Sequence, residues 1–292
     1  MSKLLNAITV DVEDYYQVSA FAAAVNRKDW SDKPSRVVAN TQRLIDLFAE
    51  FEVNGTFFTL GWVAERHPEL VQRIHAAGHE VACHGYSHKL IFEQSAVEFR
   101  EETFRAKKLL EDAAGVAVNG YRAASYSITR KSLWALDTLV EAGFKYDSSI
   151  FPVHHDRYGI PNSPRHPYSL QAPNGGSIIE FPITTSRVAG VKIPVAGGGY
   201  FRLFPYWLTR MGLARVNRVE QRPFVFYLHP WEVDPGQPRI DASWFSRFRH
   251  YNNLDKCEPR LRQLLSDFPM ARMDDVLASV DLAQTPLQLS PA

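Results

Sequence analysis

Cysteine is scarce in this 292-residue chain: Cys83 and Cys257 are the only two, too few for a disulfide framework. That scarcity suits a reducing compartment. No apolar run approaches the length needed to span a bilayer. The stretch Met1-Ser2-Lys3-Leu4-Leu5-Asn6-Ala7 leaves no room for a signal-peptide apolar region, so a cytoplasmic location is expected. Neither sign of charge is in excess: 33 Lys and Arg against 32 Asp and Glu give a net charge of +1. That balance argues against nucleic-acid binding and against a polybasic membrane surface for the chain as a whole. Gly197-Gly198-Gly199 is not followed by the Lys-Ser/Thr of a phosphate loop, which excludes that mode of nucleotide binding. There is no internal repeat and no linker. A single domain over residues 1–283 with a disordered tail over 284–292 is expected.

Hydrophobic residues make up 45% of the chain, enough for a large core. Strand-like segments fall at residues 4–11, 56–60, 80–83, 120–124 and 144–147, each but the last followed by a helical pattern. Pro34 opens one helix and Pro68 another, Ser95-Ala96-Val97-Glu98 has the form of a capping box, and Thr129 caps a fourth helix. Strand and helix alternating in this way imply parallel strands with helices outside them, an α/β fold of barrel size. The second half is less regular. Residues 151–176 and 231–253 read as loops, with buried strands at 177–183 and 223–229 and a short one at 270–273.

The chemistry-bearing residues cluster at the C-terminal ends of these strands, where parallel barrels build their sites. Gly78-His79-Glu80-Val81-Ala82-Cys83-His84-Gly85-Tyr86-Ser87-His88 holds three of the 10 histidines. His84 and His88 are four apart, the spacing that puts two imidazoles on one face of a helical turn and aims both at one divalent ion. The plainer reading of an isolated pair is a His-rich loop. Asp11, Glu13 and Asp14 leave the first strand together, and a His-His-carboxylate set leaves coordination positions open for water and substrate. A further carboxylate nearby can take a proton from that water. Strand alternation puts Asp11 and Glu13 on one face, whereas Asp14 needs the chain to leave the strand first. Asp147, at the end of the fifth strand, can orient His229 as a second carboxylate. Trp231, Trp30, Tyr200 and Tyr206 are candidates for stacking on sugar rings.

The order DVEDYY, GHEVACHGYSH, GYRAASYS, YDSS and LHPWE resembles the polysaccharide deacetylases of carbohydrate esterase family 4, which share the NodB homology domain. In detail it is similar to their exopolysaccharide-locus (PEP-CTERM-associated) subgroup, with DVEDYF, HGYSH, GYRAPSFS, YDSS and HPWE. The resemblance runs over roughly residues 7–276. It implies a distorted (β/α)7-type barrel, here with an irregular C-terminal extension. It also implies hydrolysis of N-acetyl groups on the amino sugars of a glycan, using one divalent metal, zinc by expectation. By the same resemblance, His84 and His88 are metal ligands with Asp14 as the matching acid and Glu13 as the alternative. Asp11 is the general base, Arg122 pairs with it, and His229 is the general acid. The segment at Tyr126 is expected to supply a backbone N–H to the oxyanion; Ala124 stands there where the subgroup has proline. Other amide substrates, peptidoglycan or a cyclic ureide, fit the same pattern; a glycan-binding module without catalysis would lack a base, acid or histidine, none of which is missing, and Ala124 is the only departure that favours it. Without an export signal, the expected substrate is a cytoplasmic precursor, or the chain joins a membrane polysaccharide-synthesis complex through partners.

Overall fold

The computed structural model describes residues 4–155, 158–188, 190–283 and 285–290. The first strand, β1 (Asn6–Val12), is buried along its whole length and lies second from one end of the sheet path. Its run of Ala, Ile, Val and Thr has apolar neighbours on both faces, the pattern of a parallel strand covered by helices. On one side it pairs with β2 (Thr56–Thr59), then β3 (Glu80–Cys83), β4 (Gly120–Tyr121), β5 (Tyr146–Asp147) and β7 (Ser177–Glu180). On the other side lies β10 (Val225–Leu228); the short β11 (Met270–Ala271) pairs with the Asn6–Ala7 end of β1 on the β2 side, below the start of β2. All of these pairings are parallel; β6 (Tyr168–Gln171) joins β7 antiparallel.

The result is a curled half-barrel sheet with seven long-range parallel strands, β10, β1 to β5 and β7, in keeping with the expected (β/α)7-type barrel. Among the described residues no pairing joins β6 to β10, so the sheet stays open. The helices lie outside: α1 (Val37–Glu50), α2 (Gly61–Arg66), α3 (Pro68–Ala76), α4 (Ala96–Ala114) and α5 (Ala135–Glu141). The capping box at α4 is formed, Ser95 Oγ accepting from Glu98 N–H and Glu98 accepting from Ser95 N–H. Gly115 closes the helix at φ 72°, a left-handed position that costs glycine nothing.

The segments read as loops contain short elements. β6 lies within 151–176, and α8 (Trp244–Tyr251) within 231–253. β8 (Thr185–Val188) and β9 (Val191–Pro194) form a separate hairpin, and α6 (Gly198–Leu203) and α7 (Tyr206–Arg218) follow it. α9 (Leu254–Asp267) begins before the expected 258, and α10 (Met273–Ala278) ends the fold. In the tail expected to be disordered, Leu287 is held to β6: its N–H donates to Ser169 O at 2.8 Å and its carbonyl accepts from Gln171 N–H at 2.9 Å.

The strand register positions the site. Val12, Thr59, Cys83, Tyr121, Asp147 and Glu180 form one row of partners across the sheet. The next residues along are Glu13, His84, Arg122 and Ser148, so four strands deliver polar side chains to the same rim. Leu228 pairs with Val10, which sets His229 level with Asp11.

Candidate active site

At that rim, Glu13, His84 and His88 form a buried set whose ligand atoms all lie within 4.8 Å of one another. His84 follows β3 directly. Its Nδ1 is 2.8 Å from the Arg122 carbonyl, which can only accept, so Nδ1 carries the proton and Nε2 is free to coordinate. His88 reaches the same point by a different route from the expected helical turn. The chain from Gly85 is a loop, reversed by Gly85 at φ 73° and by His88 itself at φ 52°. Arg27 clamps it, Nε on Ser87 O at 2.8 Å and Nη2 on His88 O at 3.1 Å. A non-glycine residue held in the left-handed region is a strained element of the kind found at functional sites.

The acid beside the two histidines is Glu13, which corrects the expected Asp14. Glu13 N–H turns back onto Asp11 O at 3.0 Å just past the end of β1, swinging its side chain inward. Oε2 lies 2.9 Å from His88 Nε2, yet the contact lacks hydrogen-bond geometry and Oε2 is buried without a partner. A buried, unpartnered carboxylate oxygen facing two imidazoles is a donor set suited to a divalent ion such as zinc. Burial alone would raise the Glu13 carboxyl; His88, with His229 and His84 behind it, draws it down to about 2. Asp14 is engaged elsewhere. Its Oδ2 accepts from Ser35 Oγ at 2.7 Å, Arg36 N–H at 2.8 Å and Val37 N–H at 3.1 Å, so it caps α1 from a distance. Burial raises its pKa, and these donors partly offset the effect.

Asp11 sits one residue inside the rim. Arg122, fully buried, donates from Nη1 to Asp11 Oδ1 at 2.7 Å and to Thr9 Oγ1 at 2.8 Å. Its other nitrogens bond Ser148, and its guanidinium carbon lies 4.1 Å over the Phe58 ring. The expected pairing of arginine and acid is therefore present, in a fixed geometry.

His229 lines the same cavity, of about 180 Å³, with Asp11, Glu13, His84, His88 and Tyr126. Its orienting carboxylate is Glu232 and not the expected Asp147: Nδ1 is 2.7 Å from Glu232 Oε1, which also accepts from His229 N–H at 3.1 Å. Glu232 Oε2 meets Arg202 Nε at 2.5 Å, and Arg202 is anchored by the carbonyls of His250, Asn252 and Arg249. Burial would lower the His229 pKa; Glu232, followed by Glu13 and Asp11, outweighs it and lifts the ring to about 9. Asp147 faces Glu180, its partner across β5 and β7, and Ser149 Oγ donates to it. Burial pushes Asp147 up to about 6. It belongs to the packing under Arg122, apart from His229.

Trp231 departs from its expected role as a sugar platform. It stacks on His229 at 5.0 Å and on His250 at 4.0 Å, leaving 5% exposure. Its indole N–H instead donates to Glu13 Oε1 at 3.3 Å. Trp30 is likewise buried, and Tyr206 bonds Asp267. Tyr126 has its ring on the cavity, but its N–H closes a turn on Ala123 O at 3.1 Å. Ser125 and Tyr126 both have positive φ in that turn. Ala124 in place of proline does not leave the turn loose: Ser127 Oγ donates to Ala124 O at 2.7 Å, and Ala123 N–H to Ser149 Oγ at 2.8 Å. Glu232 and Arg202 went unforeseen. The spacing of His229 to Glu232, three apart across a proline, carried a signal for the first; nothing local marks Arg202.

Residues 30–146 match the polysaccharide deacetylase family, and residues 148–278 match a family described as a domain of unknown function, DUF3473. The likeness to the polysaccharide deacetylase family thus covers less than half of the chain. His84, His88 and Arg122 fall in the first match; His229, Arg202 and Glu232 fall in the second. The chain is 29% identical to the Helicobacter pylori peptidoglycan deacetylase over 158 residues, covering 53% of this chain and 51% of that protein. It is 30% identical to a Bradyrhizobium chitooligosaccharide deacetylase over 99 residues, covering 34% of this chain and 43% of that one. The chain thus spans about half the length of these curated relatives. A Mycobacterium smegmatis structure assigned to the polysaccharide deacetylases shares the fold, with a TM-score of 0.64 at 22% identity over 99% of this chain and 94% of that one.

Proposed function

We propose that the chain is a metal-dependent hydrolase that removes N-acetyl groups from amino sugars of a glycan. The observation that carries this reading is the convergence of Asp11, Glu13, His84, His88 and His229 on one cavity. The relatives named as deacetylases of peptidoglycan and chitooligosaccharide support the same substrate class. Glu13, His84 and His88 would hold the ion, with zinc the proposed metal. When bound, the ion would polarise the acyl carbonyl and acidify a water.

Asp11 takes the proton of the attacking water while Arg122 holds its carboxylate in place. His229 protonates the departing amine from Nε2, since Nδ1 is tied to Glu232. Tyr126 walls the acyl side with its ring. A neighbouring cavity of about 340 Å³ shares Tyr158, Gly199, Tyr227 and Arg249 with the first. It presents Tyr200, Phe245 and Phe248, surfaces suited to the apolar faces of sugar rings. The finer reading, an exopolysaccharide or its precursor as substrate, rests on the DVEDYY, HGYSH and HPWE motifs.

The test is acetate release from N-acetylglucosamine oligomers and from peptidoglycan, by wild type and Asp11→Asn. The variant should lose turnover and keep metal binding. Full activity in Asp11→Asn would remove Asp11 as the base. Ureide turnover without acetate release would replace the substrate class.

A further inference from the structure

Away from the catalytic rim, a cavity of about 550 Å³ opens between the β8–β9 hairpin and α7. That volume is typical of ligand sites, which run to about 300–1,000 Å³. Val188, Ile193 and Val195 wall it from the hairpin, and Phe204, Leu208 and Met211 from the helix side. The floor closes on Gly212, where an added Cβ would fall 2.7 Å from Val195 Cγ1, so only glycine lets hairpin and helix approach this closely. Among the described residues, the charged groups lining it are Arg215 and Arg218, and no acidic residue lines it.

Its rim is unusually apolar for a surface. Met211 is 57% exposed, Val219 63%, and Trp207, one turn before Met211 on α7, 61%. Contiguous exposed apolar groups of this kind mark a surface that something covers. The composition argues for what does so. Apolar side chains flanked by arginines, with an interfacial tryptophan, match an acyl chain under an anionic headgroup. The arginines can lay their stems along the groove and keep their charges at the headgroup level. A second copy of this chain matches less well, because a twofold contact would bring the same arginines toward their own copies. Among the described residues no helix is long and apolar enough to cross a membrane, so this contact would be peripheral.

We propose that the α7 face docks on an anionic bilayer, with an acyl chain entering the groove and Arg215 and Arg218 meeting the headgroup phosphates. The experiment is co-sedimentation of the full chain with phosphatidylglycerol-rich and with pure phosphatidylcholine vesicles. The wild type should bind the anionic vesicles and be released by salt. The double variant Arg215→Glu/Arg218→Glu should bind about tenfold less, as should Met211→Asp, which breaks the apolar contact while leaving both arginines in place. All three positions are exposed, so circular dichroism and acetate release from soluble oligosaccharides should stay at wild-type level. Wild type left in the supernatant, equal binding to neutral vesicles, or variants that bind like wild type would overturn the proposal. So would a dimer by light scattering that Met211→Asp dissolves, since a second copy would then cover the groove.

Discussion

Trp231 donates its indole N–H to Glu13 Oε1 at 3.3 Å, joining two residues 218 apart in sequence. The ring directly after His229-Pro230 thereby fixes the carboxylate that faces His84 and His88. The His229 segment and the Glu13–His84–His88 cluster are thus mechanically linked.

Trp231→Phe keeps the stack between His229 and His250 and removes only the hydrogen bond. Zinc affinity, measured by competition with a chelating dye, should fall about tenfold, in the range seen when a ligand loses its supporting partner. An unchanged affinity would mean that the indole packs without orienting Glu13.

Glu13 and Asp14 should separate cleanly. Glu13→Gln should lose the metal, as read by elemental analysis of the purified protein, with little change in melting. Asp14→Ala should keep the metal and lose about 1–3 kcal/mol of stability, because Ser35, Arg36, Val37 and Tyr15 lose their acceptor at the start of α1. The reverse pattern would restore Asp14 as the ligand.

Glu232→Gln leaves Arg202 on its three carbonyls and His229 beside a neutral amide. A drop in kcat of about 10- to 100-fold is expected with metal content intact. If Asp147→Asn produced that loss and Glu232→Gln did not, the orienting role would belong to Asp147.

Glu80 gives a pH signature in stability away from the Glu13–His84–His88 cluster. Burial, with Asp274 adding to it, pushes its carboxyl from 4.5 up to about 7, against hydrogen bonds from Thr56 and Tyr146. The fold thus favours the protonated form, while the unfolded chain ionises near the ordinary value. This contribution is complete below about pH 4.5, shrinks as pH rises, and is gone above about pH 7; the whole span is up to about 3 kcal/mol. Urea unfolding at pH 5 and pH 8 should show the wild type weakening over that interval and Glu80→Gln weakening less. Parallel curves for the two proteins would contradict the assignment.

Much of the architecture was legible in the residue order. Alternating buried strands and amphipathic helices up to residue 147 specify parallel pairing, because a strand buried on both faces must be covered by helices. That pairing puts His84, Arg122 and His229 at one rim whatever the loop details. The elements that escaped notice, β6, the β8–β9 hairpin and α8, run to only 4 residues per strand and 8 in the helix, too short for a local pattern to set them apart from loops.

The sequence by itself determined that acids, two histidines, an arginine and a later histidine leave strand ends in a fixed order, since strand period and burial are local properties. Only the tertiary structure decided which acid serves which partner. Glu13, Asp14, Asp147 and Glu232 are chemically near-equivalent along the chain. Asp14 is drawn to the orphan N–H groups of α1, Asp147 to Glu180 across the sheet, Glu232 to Arg202 and His229, and Glu13 is left facing His88 and His84 with an oxygen that has no hydrogen-bond partner. Those choices are made by donors that reach them from distant segments, and no spacing along the chain encodes them.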